Sequence, residues 1–497
     1  MRLQLTWFLS CLLLAGTHSV AAAEPDRRPN IVVVLADDLG YGDLACYGHP
    51  RIKSPRIDRF ATEGLLFSNC YAAAANCSPS RTGLMTGRTP CRVGIHNWIP
   101  MFSPMHVGRD EVTVARLLQQ NGYQTCHVGK WHLNGQFNLP SQPQPSDHGF
   151  DHWFATQNNA LPTHHNPTNF VRNGSAVGTL KGYSAQIVAD EAIHWLRQRD
   201  SERPFFLFVC FHEPHEPINS ARRYQDLYEA AADSTLPNHH GNVTQMDAAF
   251  GQLLDTLDRL ELRDNTLVLF TSDNGPAITR RHPHGSAGPL RDKKGFVSEG
   301  GIRVPGILRW PGQTTPGQIS DEPISGVDLL PTLCQVADIP LPTGRALDGT
   351  SFLPALFGQS LVRSTPLYWQ FNFAQGPAKV AMRMGDWKIT ATLSGPQLPP
   401  AGHILNEHQA AIKSAELEQF ELYHLGRDIG EQQDLAGTEQ QRLQEMSAQL
   451  RQLYQSVRDE SPRWPAWQWP GHEGTIIRAY YDLQKAKAER RQGRGSK

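Results

Sequence analysis

The chain alternates between short, almost uninterrupted apolar runs and longer stretches in which apolar residues recur every three or four positions. The clearest runs are 31–36, 123–128, 205–211 and 266–271. Runs that are apolar at every position suit strands buried on both faces, as in a parallel sheet. Between them, 184–199 and 242–260 carry helical spacing. Strands alternating with helices predict an α/β fold. After about Pro366 the pattern changes. "YWQFNF" and "KVAMRMGDWKIT" read as antiparallel strands, the second a hairpin turning at Gly385 and Asp386. Leu443, Met446, Leu450, Leu453 and Val457 then form one apolar helical stripe behind a capping box of Thr438 and Gln441. This predicts a smaller C-terminal α+β subdomain, an antiparallel sheet with a packed helix.

The ends of the chain follow different rules. Arg2, the apolar "LTWFLSCLLLAG" and the small-residue "SVAAAE" predict an export signal over 1–23, cleaved after Ala23. Its apolar run is short for a bilayer and no later one is longer, so the expectation is a periplasmic or secreted protein off the membrane. A basic tail, 485–497, is expected to be disordered. The layout is then a catalytic unit over 24–365 and a C-terminal subdomain over 366–484. With 39% hydrophobic residues in 497 there is material for a full core, and a net charge of −1 gives no reason to expect nucleic acid. Export permits disulfides. Of eight cysteines, Cys11 falls in the signal, and Cys126 and Cys210 fall in strand-like runs and are expected to be buried free thiols.

Chemistry collects where the four runs end. They lead into Asp37-Asp38, Gly129-Lys130-Trp131-His132, His212 to His215, and Asp273-Asn274-Gly275. Ligands of open α/β sheets bind beyond the carboxyl ends of the strands. If the four strands are parallel neighbours, all four clusters face one crevice. Asp37, Asp38, Asp273 and Asn274 offer only oxygen, which suits calcium or magnesium rather than zinc. Each pair alone could also be a cap or a turn. Lys130 and His132, two apart, would share one face of an extended segment and suit an anionic substrate. "LRDKKGFVSEGGIRVP" adds Lys293, Lys294 and the Glu299-Gly300-Gly301 turn.

One cysteine stands apart. In "NCSPSRTGLMTGR", Ser78 can cap a helix and Pro79 suits its first turn, with Arg81 one turn on. A thiol there would sit in a positive field and ionise easily, so Cys77 could be a reactive thiolate.

These residues together resemble the formylglycine-dependent sulfatases. "CSPSRTGLMTGR" matches their signature, and "VLADDLGYGD", "GKWHL", "PHEP", "SDNG", "LRDKKG" and "EGGIRVP" follow in order, with "MGDWKI" near the end. The pattern is most similar to the arylsulfatase A and N-acetylgalactosamine-6-sulfatase branch. The resemblance implies an alkaline-phosphatase-like fold, a large mixed sheet flanked by helices plus a smaller C-terminal domain. It implies that a maturation enzyme oxidises Cys77 to Cα-formylglycine, whose hydrate attacks sulfur and later expels sulfate by collapsing to the aldehyde. It implies one calcium ion on Asp37, Asp38, residue 77, Asp273 and Asn274. Arg81, Lys130, His132, His215 and Lys294 would complete the catalytic set, His132 deprotonating the second hydroxyl and His215 or Lys294 protonating the leaving alcohol. His215 aligns better than His212, and Lys294 better than Lys293. The expected substrate is a sulfated carbohydrate or, in vitro, an aryl sulfate. Asn158, Asn159, His164 and His165, in the polar segment 153–174, are candidate sugar ligands, and "RWPAWQWPG" offers either stacking faces or a strap between domains. A phosphonate or phosphate-ester hydrolase of the same superfamily and an inactive glycan-binding relative are the competing readings.

Overall fold

The computed structural model describes residues 28–229, 235–280, 282–374, 376–399 and 404–468. The expected export signal (1–23) and basic tail (485–497) lie outside them. The large sheet draws on β1 (Asn30–Asp37), β2 (Leu65–Phe67), β3 (Gln124–Lys130), β4 (His152–Thr156), β5 (Phe205–Pro214), β6 (Thr266–Ser272), β7 (Gly306–Arg309) and β8 (Gln318–Ser320). Its order is β8-β2-β7-β6-β1-β5-β3-β4, with two short strands at Val171–Arg172 and Ser175–Ala176 extending the β4 edge. The five central strands, β6 to β4 in that order, are mutually parallel. β7 pairs antiparallel with both β6 and β2, so the sheet is mixed.

Strand β1 shows why its apolar run has no polar face. Ile31, Val33 and Leu35 pack on one side with Leu84, Met85, Leu118 and Leu330. Val32, Val34 and Ala36 pack on the other with Val188, Leu196, Val243 and Phe250. The second side is covered by helices Ser184–Gln198 and Leu236–Arg259, so both faces of the sheet are dry. Cys126 and Cys210 are buried free thiols, as expected, and none of the described cysteines is in a disulfide.

A second, antiparallel sheet begins at Leu367. It runs β9 (Leu367–Phe371), β10 (Lys379–Met384), β11 (Trp387–Leu393) and β12 (Leu417–His424) in simple order, with the turn at Gly385 and Asp386. The helix Gln440–Glu460 lies against it through Met446, Leu450, Tyr454 and Val457. Each such side chain contributes about 1.5–3 kcal/mol when fully buried. The expected capping box does not form. The helix starts at Gln440, and the Thr438 hydroxyl donates instead to Leu435 O at 3.2 Å. Of the tryptophan-rich segment, Trp464 Nε1 donates to Gly94 O at 2.8 Å and Trp467 bridges to Ile404, so the described part is a strap.

Candidate active site

The parallel strands β6, β1, β5 and β3 carry their carboxyl ends to one edge, and the four polar clusters meet there. Two glycines permit the meeting. A Cβ on Gly129, whose φ is +102°, would lie 1.8 Å from Cys210 O, and one on Gly275 would lie 1.9 Å from Gly300 O. The second approach lets "SDNG" and "EGG" pass each other.

Charges alternate at the floor of the site. Lys130 Nζ donates to Asp37 Oδ2 at 2.7 Å, and Lys294 Nζ to Asp38 Oδ1 at 2.6 Å. Arg81 donates twice to Asp273 Oδ2, at 2.9 and 2.8 Å, and once to Lys130 O at 2.8 Å. Asp38 N donates to Asp273 Oδ1 at 3.2 Å, and Asn274 Nδ2 to Asp38 Oδ1 at 2.7 Å. After these bonds, Asp37 Oδ1, Asp38 Oδ2 and Asn274 Oδ1 remain buried without a hydrogen-bond partner. Asp37, Asp38 and His215 form the one group of three acidic, His or Cys side chains among the described residues whose ligand atoms converge closely enough to hold a metal. Buried polar atoms are nearly always paired. Three orphaned oxygens at one point, with Asp273 beside them, fit a hard cation. Burial alone would raise the Asp37 carboxyl, but Lys130, His215, Arg81 and Lys294 hold it well below the usual range. Burial, with Asp37 alongside, pushes Asp273 up.

Cys77 sits on this floor as the first residue of helix Cys77–Thr86. The cap is Asn76, not Ser78: Asn76 Oδ1 accepts from Cys77 N at 2.8 Å, while Ser78 Oγ accepts from Ile99 N at 3.0 Å. The expectation of an easily ionised thiol is also corrected. Burial pushes the Cys77 thiol up, and the nearby Lys130 and Lys294 only partly offset it. Arg81 is engaged with Asp273 rather than with the sulfur.

The histidines separate. His132 has φ +59°, so it leaves the strand that ends at Lys130, and simple alternation does not govern where it points. Its Nε2 lies 3.0 Å from Ile99 O, which can only accept; the proton is therefore on Nε2 and Nδ1 is bare. Burial, Lys130 and Arg81 hold its pKa well below the usual value. His215 Nδ1 lies 2.5 Å from Glu216 O, and its Nε2 is 3.5 Å from Asp38 Oδ2. Burial lowers its pKa against the pull of Asp38 and Asp37. His212 is fully buried and bonds Thr156 Oγ1 at 2.8 Å. Lys293 donates to Ile278 O at the rim of the same cavity, away from the carboxylates that hold Lys294.

Above the floor lies a cavity of about 330 Å³. Cys77, His132, His215 and Lys294 line it, as do Asn158 and Asn159. His164 does not line it. Its ring is fully buried, with Nδ1 3.3 Å from Asn242 Nδ2 and 3.6 Å from Glu213 Oε1, and the His165 ring lies tilted against Tyr183, centroids 4.6 Å apart. Asn97, Trp98, Phe371 and Phe373 also line the cavity and carry no sequence motif. The two phenylalanines come from the second sheet and the loop after it, so that sheet closes one wall.

Known proteins are similar over most of this length. The family profile described as Sulfatase matches residues 29–339, and one described as N-sulphoglucosamine sulphohydrolase, C-terminal, matches 290–389. Human arylsulfatase A is 35% identical over 455 residues, covering 86% of each chain. Human N-acetylgalactosamine-6-sulfatase is 32% identical over 444 residues, covering 83% of this chain and 82% of its own. The crystal structure of Ps i-CgsB in complex with k-i-k-neocarrahexaose superposes with a TM-score of 0.76 at 27% identity, covering 91% of this chain and 97% of that one. The architecture is that of alkaline-phosphatase-like hydrolases.

Proposed function

The chain belongs to the sulfatase family and is a sulfuric ester hydrolase, and from that premise we propose that it releases sulfate from a sulfated carbohydrate, using formylglycine made from Cys77 and one calcium ion. The observation that carries this is the trio of orphaned oxygens beside Cys77 at the floor of a small cavity. Asp37, Asp38, Asp273, Asn274 and residue 77 would hold the cation. When bound, it would draw charge from sulfate oxygens and lower the pKa of a hydroxyl at residue 77. Oxidation of residue 77 to an aldehyde, followed by addition of water, would supply that hydroxyl, which explains why a cysteine with a suppressed thiolate stands at the centre.

The chain's own side chains divide the remaining work. Lys130 and Lys294 are cations fixed on the floor, ready to neutralise sulfate oxygens. The Lys294 ammonium is held by Asp38 in spite of burial. His215 or Lys294 would protonate the leaving oxygen; His215, whose Nδ1 proton faces Glu216 O, would do so only from its doubly protonated ring. His132, with Nδ1 bare, can take a proton from residue 77. Arg81 holds Asp273 in place. The reading includes export directed by residues 1–23, maturation by a formylglycine-generating enzyme, and a catalytic unit over 24–365 closed by a C-terminal unit over 366–484. No helix among the described residues is long and apolar enough to cross a membrane.

The test is the mass of the tryptic peptide 60–81 after thiol alkylation, from a host with a working maturation enzyme. Cys70 in the same peptide is an alkylated internal control. An aldehyde at residue 77 supports the reading. An alkylated thiol there, with a control sulfatase matured in the same cells, overturns the formylglycine nucleophile. Sulfate and phosphonate esters of one phenol, compared on the matured protein, separate sulfatase from phosphonate hydrolase.

A further inference from the structure

Asn76 and Asn97 form a relay whose orientation the backbone dictates. Cys77 N donates to Asn76 Oδ1 at 2.8 Å, which fixes the oxygen of that amide. Asn76 Nδ2 therefore faces outward and donates to Asn97 Oδ1 at 3.0 Å. Trp98 N donates to the same oxygen at 2.9 Å. Two donors settle which end of the Asn97 amide is oxygen, and Nδ2 is left over. Asn97 is only 2% exposed, lines the cavity with Cys77, and its Nδ2 has no hydrogen-bond partner. Asn158 and Asn159 line the same cavity, and their Oδ1 atoms are acceptors without partners. Trp98, Phe371 and Phe373 supply apolar lining to the same cavity.

A buried donor and two buried acceptors are a poor match for a flat apolar ring, which would leave all three unpaired. They match a ring carrying both acceptor oxygens and hydroxyl donors. At about 330 Å³ the cavity lies at the small end of the ~300–1,000 Å³ range of ligand cavities, room for one such ring. We propose that Asn97 is a specificity-determining residue that donates from Nδ2 to an oxygen of a single sulfated sugar ring, with Asn158 and Asn159 accepting from its hydroxyls. This rests on the sulfatase reading above and adds to it the residue that separates sugar from aryl sulfates.

The test compares kcat/KM for a panel of monosulfated hexoses and N-acetylhexosamines with that for nitrophenyl sulfate. Asn97→Asp keeps the acceptor for Asn76 and Trp98 and removes the donor; Asn97→Leu removes both. In both variants the sugar-to-aryl ratio of kcat/KM should fall about 10-fold or more, mostly through KM. Wild type should also lose activity on one monodeoxy form of its best sugar, and the Asn97 variants should be indifferent to that deletion. Equal losses on sugar and aryl substrates would mean that Asn97 only steadies Asn76 and residue 77, and would overturn the proposal. So would an unchanged ratio. If the Asn97 variants do not fold, Asn158→Ala and Asn159→Ala, at half-buried positions, must lower the same ratio. Matured wild type that splits nitrophenyl sulfate but no sulfated sugar overturns this inference and leaves the sulfatase intact. Matured wild type that splits neither strikes the reading beneath it.

Discussion

Two clusters of buried charge face each other across the loop 290–303, and they are finished to different degrees. One is the floor of the active site. The other joins the loop to the second sheet. There, Lys388 Nζ lies 2.9 Å from Glu299 Oε1 and 2.9 Å from Glu431 Oε1. Glu431 Oε2 accepts from Glu299 N at 2.7 Å, and Glu299 Oε2 accepts from Tyr71 OH at 2.6 Å and faces Arg303 at 3.3 Å. Arg383 donates to Tyr71 OH and to Gly385 O. No side-chain polar atom of Tyr71, Glu299, Arg303, Arg383, Lys388 or Glu431 is left buried and unpaired, whereas Asp37, Asp38 and Asn274 each leave an oxygen open. A closed cluster is a fastening. An open one is a site, because the missing partner must come from outside the chain.

The contrast predicts that damage to the open cluster removes function and damage to the closed one removes stability. The largest effect is at residue 77. Cys77→Ala should lose all measurable sulfate release with an unchanged melting temperature, because Sγ makes only a 3.3 Å contact to its neighbour Asn76. Wild-type turnover in that variant would sink the nucleophile assignment. Asp38→Asn should lower kcat/KM about 10³-fold or more and abolish stoichiometric metal in elemental analysis. Retained metal would remove Asp38 from the ligand set.

On the other side, Lys388→Met leaves Glu431 without a cation, facing a Glu299 that keeps only Arg303. Breaking a buried pair in this way costs about 3–5 kcal/mol. The melting temperature should fall by several degrees, and activity per folded molecule should fall far less than in Asp38→Asn. Adding Glu431→Gln to Lys388→Met should restore part of the stability, since the uncompensated charge goes with the lysine while Glu299 stays paired with Arg303. A double variant less stable than the single one would show that the cluster is held by something other than charge balance.

How far these two clusters could be read from the sequence differs for a physical reason. The open one ends four parallel strands whose apolar runs are visible, so Asp37, Lys130, His215 and Asp273 announce themselves by position. The closed one joins Glu299, Lys388 and Glu431 from three separate segments, and no periodicity links them. The cavity wall is similar: Asn97 and Trp98 follow a loop, and Phe371 and Phe373 arrive from the second sheet. Short strands were invisible too. β7 has four residues and owes its existence to β6 and β2 on either side. Caps failed by small margins. A two-residue shift made Asn76 the cap in place of Ser78, and the Thr438 hydroxyl found a carbonyl nearer than the helix it was expected to cap. Local propensity proposes such partners, and tertiary contacts choose among them.

A third, half-open pair calibrates the scale between the two clusters. Glu191 accepts from Arg172 Nε at 2.8 Å and from Arg172 Nη2 at 2.5 Å, and lies 2.9 Å from His152 Nε2. Burial raises the Glu191 carboxyl, but these hydrogen bonds outweigh it and bring the pKa down to about 2. A folded-state pKa below the unfolded value of 4.5 means that the pair stabilises the fold above about pH 4.5 and that this is lost as pH falls towards 2. Arg172 is 44% exposed, so water screens the pair and Glu191→Gln should cost about 1–2 kcal/mol at neutral pH. The check is urea unfolding of wild type and variant side by side from pH 7 down to the acid limit of folding. Their difference should narrow steadily below about pH 4.5. A difference that stays constant with pH would mean that Glu191 acts by packing, and the grading of effects from open to closed clusters would then rest on the two buried clusters alone.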